Sequence, residues 1–166
     1  MMNVKEFSTA KMDNTTKIIT VIVLFFLLLL PFSTFLSDQP QPVFLVTSFV
    51  LMYGAIFISY GFIPKRIAVS DDQILIKNLF GPVLINIDNI ETIAKIEKLG
   101  LNLRTFGVGG LFGYFGYFNG KDVWYVTNRH KKVKMILKSG KVYIISPENP
   151  DDFVKEIEKR KSELER

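Results

Sequence analysis

The side chains in this chain that could perform acid–base or nucleophilic chemistry are few and scattered. The sequence has one histidine, His130, and no cysteine. Because His130 lies among cationic residues, no Ser/His/Asp arrangement around it would activate a nucleophile. The carboxylate pairs Asp71-Asp72 and Asp151-Asp152 are explained by a turn and by the start of a helix. We therefore predict a protein that is not an enzyme and that uses no cofactor or metal.

A run of basic residues between positions 121 and 141 is the first candidate binding surface. The net charge of +5 arises entirely after residue 63, where 18 basic residues face 13 acidic ones. The candidate lipid-binding or partner-binding residues are Lys121, Arg129, Lys131, Lys132, Lys134 and Lys138. Strand alternation places Lys132, Lys134 and Lys138 opposite the apolar side chains of their strand. Anionic lipid, an acidic protein and a merely solvated face stay open, whereas nucleic acid is not predicted because no matching motif accompanies the charge.

Glycine and aromatic residues alternate between positions 107 and 120. The spacing matches neither phosphate-binding glycine motif, so a nucleotide site is not predicted. The candidate membrane-interface residues are Phe112, Tyr114, Phe115, Tyr117 and Phe118. Glycine lets the backbone bend sharply, and the rings supply apolar area. Two interpretations remain open: a loop that dips into lipid headgroups, or a bent strand whose rings pack on the core.

Two apolar segments precede this basic, aromatic region. Residues 18–36 and 43–63 contain no charged residue and no histidine, and each is long enough to cross a bilayer of ~30 Å as a helix. The loop between them, 37–42, has no Lys or Arg, whereas Lys65 and Arg66 follow the second segment. We therefore predict a multi-pass protein of the plasma membrane. The positive-inside rule places both of its termini in the cytoplasm.

The predicted organisation has five parts. A cytoplasmic tail covers residues 1–17, and transmembrane helices at 18–36 and 43–63 flank the external loop 37–42. Residues 64–166 then form one soluble domain, in which short β-branched runs alternate with turn signals and predict antiparallel strands. Asn149, Pro150 and the acidic pair after them predict a final helix at about 150–165. Phe153, Ile157 and Leu164 form its apolar stripe, which we expect to cap the strands.

Four segments of the soluble domain carry a family resemblance. They are residues 104–110 (Arg-Thr-Phe-Gly-Val-Gly-Gly), 112–118, 123–128, and 144–153 with its Ser-Pro-x-x-Pro-x-x-Phe ending. Together they resemble the bacterial pleckstrin-homology (PH) domain membrane proteins, in which a transmembrane hairpin precedes a PH-like domain. The resemblance implies a mostly-β barrel or sandwich of about seven antiparallel strands with a C-terminal capping helix. It does not imply phosphoinositide binding, because Asp71 and Asp72 in the first hairpin would repel phosphate.

These features predict a membrane-anchored PH-like binding or scaffold module. It would present its basic β domain to a protein partner or to anionic lipid at the inner face of the membrane, and it could form a homo-oligomer. The alternative is a small accessory subunit that acts through its transmembrane hairpin within a larger transport or secretion complex. Ala55 and Ser59, a small-xxx-small pair in the second apolar segment, favour that alternative.

Overall fold

The computed structural model describes residues 4–35, 42–97 and 102–164, and within these ranges the chain forms three α-helices and ten β-strands. The helices are α1 (Asn14–Phe35), α2 (Pro42–Gly61) and α3 (Pro150–Leu164). The strands are β1 (Lys5–Phe7), β2 (Arg66–Val69), β3 (Gln73–Asn78), β4 (Gly81–Asn86), β5 (Ile90–Ile96), β6 (Arg104–Gly109), β7 (Tyr114–Phe118), β8 (Asp122–Val126), β9 (Lys132–Leu137) and β10 (Val142–Ile145). A single 3-10 turn, Ile87–Asn89, joins β4 to β5.

Two sheets enclose the core. One has the order β1-β2-β3-β4, and the other has the order β5-β9-β10-β8-β7-β6. Alternating β-branched and aromatic residues turn one face of each sheet inward. The largest fully buried side chains include Ile67, Ile74, Ile76, Phe115, Met135, Ile145, Phe153 and Ile157. The last two come from α3, so this helix closes the space between the sheets.

The predicted C-terminal helix is confirmed at Pro150–Leu164. Asp151 and Asp152 occupy its first turn, where carboxylates complement the positive end of the helix dipole. Phe153 and Ile157 are fully buried, but Leu164 remains 40% exposed, so the apolar contact is confined to the first half of the helix.

The strand prediction needs three corrections. Nine strands follow α2 in the described residues, rather than about seven, because the glycine–aromatic segment itself forms β7. The sheets are not wholly antiparallel, since β8 and β10 pair in parallel. The segment 1–17, predicted to be a tail, contributes β1, which pairs antiparallel with β2 at the edge of the smaller sheet.

The apolar helices also differ from their predicted limits. Helix α1 begins at Asn14 rather than at residue 18, because Asp13 caps it. Among the described residues, one helix, Pro42–Gly61, is long and apolar enough to cross a membrane, while Asn14–Leu29 is a shorter apolar helix. The transmembrane hairpin therefore stays a prediction. Its external loop, 37–42, lies outside the described residues apart from Pro42.

Candidate functional site

The segment before α1 is built into the β domain. The backbone N–H of Ala10 donates a hydrogen bond to the carbonyl of Ser146 at 2.8 Å, and the N–H of Glu148 donates one to the carbonyl of Ser8 at 2.8 Å. The buried Thr127 hydroxyl donates to the carbonyl of Ala10 at 2.6 Å. Because these bonds satisfy buried polar groups, they hold the segment against the end of β8 and β10. The first apolar helix therefore leaves the domain from a fixed point.

The carboxylate of Asp13 holds the start of α1 against the β domain. It caps α1 by accepting the backbone N–H of Thr16 at 2.9 Å, and it accepts the backbone N–H of Arg129 at 2.8 Å. Burial by itself would raise the pKa of Asp13. The backbone hydrogen bonds from Arg129 and Thr16, the Thr16 hydroxyl and the Arg129 guanidinium outweigh that effect and lower the pKa to about 2. An ionised Asp13 thus joins the helix start to the loop after β8.

Two facing glycines bend the hairpin of β6 and β7. Gly107 pairs with Gly116, and both have positive φ angles, 122° and 112°. A Cβ at Gly107 would come 2.1 Å from the carbonyl oxygen of Phe115, and one at Gly116 would come 2.4 Å from that of Phe106. Only glycine therefore allows the two backbones to approach this closely. The bend directs the tip of the hairpin toward the apolar helices.

The hairpin tip holds α1 through one threonine. The Thr20 hydroxyl accepts the backbone N–H of Phe112 at 2.9 Å and lies 3.0 Å from the carbonyl oxygen of Gly110. Gly110 makes this contact feasible, since a Cβ there would come 2.6 Å from the Cγ2 atom of Ile19. The buried hydroxyl thus connects the glycine–aromatic segment directly to the first helix.

Aromatic rings surround the end of α2. We call this group the aromatic collar; its members are Phe57, Tyr60, Phe62, Phe80 and Phe112. Tyr60 meets Phe112 edge-on at 5.8 Å, and Phe80 meets Phe62 at 5.0 Å and Phe57 at 6.4 Å between ring centroids. The Lys65 ammonium lies 3.9 Å from the Tyr60 ring centroid. The turns after β3 and before β7 therefore both hold the end of this helix.

The five aromatic residues proposed as a membrane-interface loop have different surroundings. Phe115 lies fully inside the main core, and Phe118 is buried in a stack on Trp124 at 4.1 Å. Phe112 belongs to the collar, Tyr114 is half-buried, and Tyr117 is exposed. Alternation places Phe115 and Phe118 on opposite faces of β7, and each ring is buried in a different apolar cluster, so both faces of the strand are covered at these positions. Phe115 and Phe118 are thus removed from any lipid-facing surface.

The six proposed basic residues likewise do not form one surface. Lys132 is only 2% exposed, and its ammonium donates to the carbonyl of Glu97 at 3.2 Å. Burial lowers the pKa of Lys132, with a smaller contribution from the Arg129 charge. This is a correction to the alternation argument, which placed Lys132 on the outer face. The register explains it, since Lys132 pairs with Ile96 near the ends of β9 and β5, and its ammonium reaches the carbonyl of Glu97, the residue directly after β5.

Carboxylates form ion pairs with two of the remaining five basic residues. Arg129 pairs with Asp13, and Lys131 pairs with Glu148. The hydrogen bond from Lys131 lowers the pKa of Glu148 despite the opposing effect of burial. Both cations lie at the end of β8 where α1 joins the domain.

Lys121 and Lys138 lie at the opposite end of β8, where Lys141 joins them, and Lys134 is half-buried on β9. Parallel pairing of β8 and β10 brings Lys121 and Lys141 to the same edge, since each directly precedes its strand. The exposed residues Lys121, Lys138 and Lys141 are named the lysine edge below. Lys141 was not among the predicted residues, and only the strand pairing reveals its position.

The outer half of α3 carries a buried ionic cluster that the sequence pattern did not reveal. Arg160 is 5% exposed; it pairs with Glu156 at 2.9 Å within the helix and with Asp71 in the first hairpin. Glu156 also accepts Lys5 of β1 at 2.9 Å, and the Lys5 hydrogen bond lowers the pKa of Glu156 against the effect of burial. In the described ranges, no three His, Asp or Glu side chains converge as metal ligands.

The comparisons with known proteins agree with this architecture. The family model of the bacterial PH domain matches residues 65–161, more than half of the chain. The chain therefore belongs to the bacterial PH-domain family, as its sequence resemblance indicated. The match covers β2 to β10 and most of α3, and it leaves out β1 and both apolar helices. A search of curated proteins and a search of solved structures found no match.

Proposed function

We propose that this protein is a membrane-anchored PH-like binding module, with α1 and α2 as a transmembrane hairpin and the β domain at the inner face of the plasma membrane. The observation that supports it most is the exposure of apolar side chains on both helices. Val21, Phe26, Val43, Val50 and Leu51 are each more than 60% exposed. Such a continuous apolar surface is unfavourable in water, at roughly 25 cal/mol per Å², and is suited to lipid.

The charges around the helices support the orientation. Lys65 and Arg66 follow α2, and Lys5, Lys11 and Lys17 lie in or near the segment that precedes α1, whereas the connecting segment has no basic residue. The start of α1 and the end of α2, which carry these basic residues, are also the ends that join the β domain. The positive-inside rule then assigns the domain and both termini to the cytoplasm.

The course of α1 supports a membrane-facing role for the lysine edge. Asp13 contacts Arg129 at one end of β8, and farther along α1 Val23 lies beside Gly107 and Gly109. The helix thus extends along the sheet in the direction of the lysine edge. On the β6 and β7 side of that edge, Leu103, Phe106 and Tyr117 are 78%, 72% and 46% exposed. We propose that these apolar residues and the lysines rest on anionic headgroups, where each cation contributes ~1 kcal/mol.

Topology is tested by single-cysteine labelling, for which the cysteine-free chain is well suited. We expect Ser37→Cys to react with a membrane-impermeant thiol reagent in intact cells and Ser162→Cys to react only after lysis. Resistance of the wild-type chain to alkaline extraction from membranes is the companion measurement. Release by alkali, or the reverse labelling pattern, would remove the basis of the proposal.

The membrane-facing edge is tested in nanodiscs that contain the full chain. Ser139→Cys places a thiol in the turn between β9 and β10, next to Lys138. We expect its labelling to slow in anionic nanodiscs compared with zwitterionic ones, and to recover at high salt, because exposed charges are screened within ~10 Å. Ser162→Cys on α3 is the matched control and should label equally in both. Equal rates at Ser139 in both lipids would instead favour an acidic protein as the partner of this edge.

A further inference from the structure

A groove of about 320 Å³ lies between the apolar helices and β6. The helices contribute Val23, Ala55 and Ile58 to its walls, and the β domain contributes Arg104, Val108 and Leu111. The hydroxyl of Ser59, which also lines the groove, is bound to the carbonyl of Ala55 at 2.6 Å. Among the described residues that line the groove, Arg104 is the one charged side chain and none is acidic.

Two features bring Arg104 to this groove. The register of β6 against β7 shifts between Arg104 and Phe106, and the absence of a side chain at Gly109 leaves room for the guanidinium. The Nη1 atom of Arg104 lies 3.1 Å from the position that a Cβ of Gly109 would occupy. None of the ion pairs among the described residues involves Arg104. Its positive charge is therefore available to an anion from outside the chain.

We propose that this groove binds one membrane phospholipid, with Arg104 pairing with the headgroup phosphate and an acyl chain covering the apolar walls. This proposal rests on the proposed membrane anchoring. A guanidinium forms two parallel hydrogen bonds with phosphate oxygens, which gives both affinity and orientation. Exposed apolar side chains adjoin the groove on both sides: Phe57 precedes the lining residue Ile58 on α2 and is 59% exposed, and Phe106 precedes the lining residue Gly107 on β6 and is 72% exposed. A single cation above an apolar wall complements an amphiphile that carries one phosphate.

The test uses the full chain, purified in a non-ionic detergent, freed of lipid and titrated with dioleoyl phosphatidylglycerol. Native mass spectrometry measures the lipid-bound fraction, and dioleoylglycerol, which has the same acyl chains without the phosphate, is the control ligand. We expect Arg104→Gln to weaken phosphatidylglycerol binding about tenfold, the factor that corresponds to one lost charge-assisted hydrogen bond. Binding of dioleoylglycerol should not change.

Two further variants separate the groove from general effects of charge and folding. Lys155→Gln removes one positive charge from the exposed face of α3 and should leave lipid binding unchanged. Gly109→Leu fills the groove beside Arg104. The three atoms nearest to its new Cβ all belong to the flexible Arg104 side chain, and the φ angle of Gly109 is not in the left-handed region, so the variant should weaken binding without straining the backbone.

The outcomes distinguish the two proposals. If alkali releases the wild-type chain from membranes, membrane anchoring itself fails. If the chain is retained but wild type, Arg104→Gln and Gly109→Leu bind phosphatidylglycerol equally, the lipid site is overturned. Equal binding of phosphatidylglycerol and dioleoylglycerol by the wild type would overturn it as well. A change of oligomeric state in Ala55→Leu, with lipid binding unaltered in Arg104→Gln, would assign the groove to a second copy of the chain and would also overturn it.

Discussion

Helices α2 and α3 differ in how their apolar side chains are distributed and in how far the protein buries them. In α3, most charged residues face outward, and the buried Glu156 and Arg160 pair with each other. Phe153 and Ile157 of the same helix are fully buried. In α2 the side chains are apolar on every side, and only Met52, Ser59 and Gly61 are buried. An amphipathic helix is satisfied by a protein core on one side and water on the other. A uniformly apolar helix that the protein does not cover is unfavourable in water, which is the basis of the proposed lipid contact.

The largest expected effect tests the α3 side of this comparison. Phe153→Ala removes a fully buried ring that also packs edge-on against Phe7 of β1 at 5.1 Å. We expect a loss of about 3–5 kcal/mol in the free energy of unfolding, measured by denaturant titration of the full chain in detergent. Leu164→Ala, at the exposed end of the same helix, is the control and should change little. Similar stability of the two variants would show that α3 is not a core element.

A charged residue introduced into α2 tests the proposed lipid environment of that helix. Val50 is 66% exposed, so Val50→Arg would be almost neutral if water surrounded the helix. In a bilayer, an arginine near the middle of a helix costs about 2.5–3.5 kcal/mol of insertion free energy. We expect less of the variant in the alkali-resistant membrane fraction. Glu158→Arg, at an exposed position of α3, should be recovered at the wild-type level. Full recovery of Val50→Arg would contradict a lipid environment for α2.

A third variant tests the hairpin of β6 and β7, which connects the β domain to the apolar helices. Gly107→Ala places a methyl group against the Phe115 carbonyl and retains a positive φ angle that alanine disfavours. We expect a cost of about 1–3 kcal/mol, visible as a lower melting temperature. Gly54→Ala in α2 is the matched control, because no atom lies within 4 Å of its new Cβ. Wild-type stability of Gly107→Ala would show that the bend at Gly107 and Gly116 is not required.

The smallest effect concerns Asp13 and depends on pH. Folding lowers the pKa of this carboxyl from 3.8 to about 2, so its ionised form stabilises the fold above pH ~4. That contribution, roughly 1–2 kcal/mol, is lost as the pH falls from about 4 toward 2. Unfolding curves should show Asp13→Asn to be less stable than wild type at pH 7 and less sensitive to acid across this window. Glu6→Gln, at a more exposed ion pair with Arg66, is the control. Parallel pH profiles for wild type and Asp13→Asn would refute the assignment.

Local patterns in the sequence predicted the elements whose causes are local. Asn149, Pro150 and the two aspartates predicted α3, which begins at Pro150 as expected and extends to Leu164, the last described residue. The uncharged segments predicted the two apolar helices, and the family segments predicted the PH-domain assignment. The start of α1 was missed although the signal was present, since Asp13 followed by Thr16 is a helix-capping pattern.

The candidate site was less accessible to sequence reasoning, because its residues are far apart in the chain. Strand β1 is three residues long and is stabilised by pairing with β2, about sixty residues later, so no local pattern marks it. The alternation of side chains along β9 could not show that Lys132 is buried and bound to the carbonyl of Glu97, because that contact depends on how β9 pairs with β5. Arg104 begins one of the family segments, but the sequence did not show that its guanidinium lies beside Gly109 in a groove next to the apolar helices.

The sequence by itself determined that this chain has two apolar helices, a β domain of the PH class and a closing amphipathic helix. Composition and short-range periodicity are sufficient for the helices and the strands, since they govern which local structures can bury their apolar faces. The PH class came from the family resemblance of four segments. Only the tertiary structure decided which cations are exposed, which aromatic rings are buried, and how the segment before α1 joins the domain. Those outcomes depend on pairings such as Gly107 with Gly116 and Asp13 with Arg129, and such pairings exist only after the whole domain has folded.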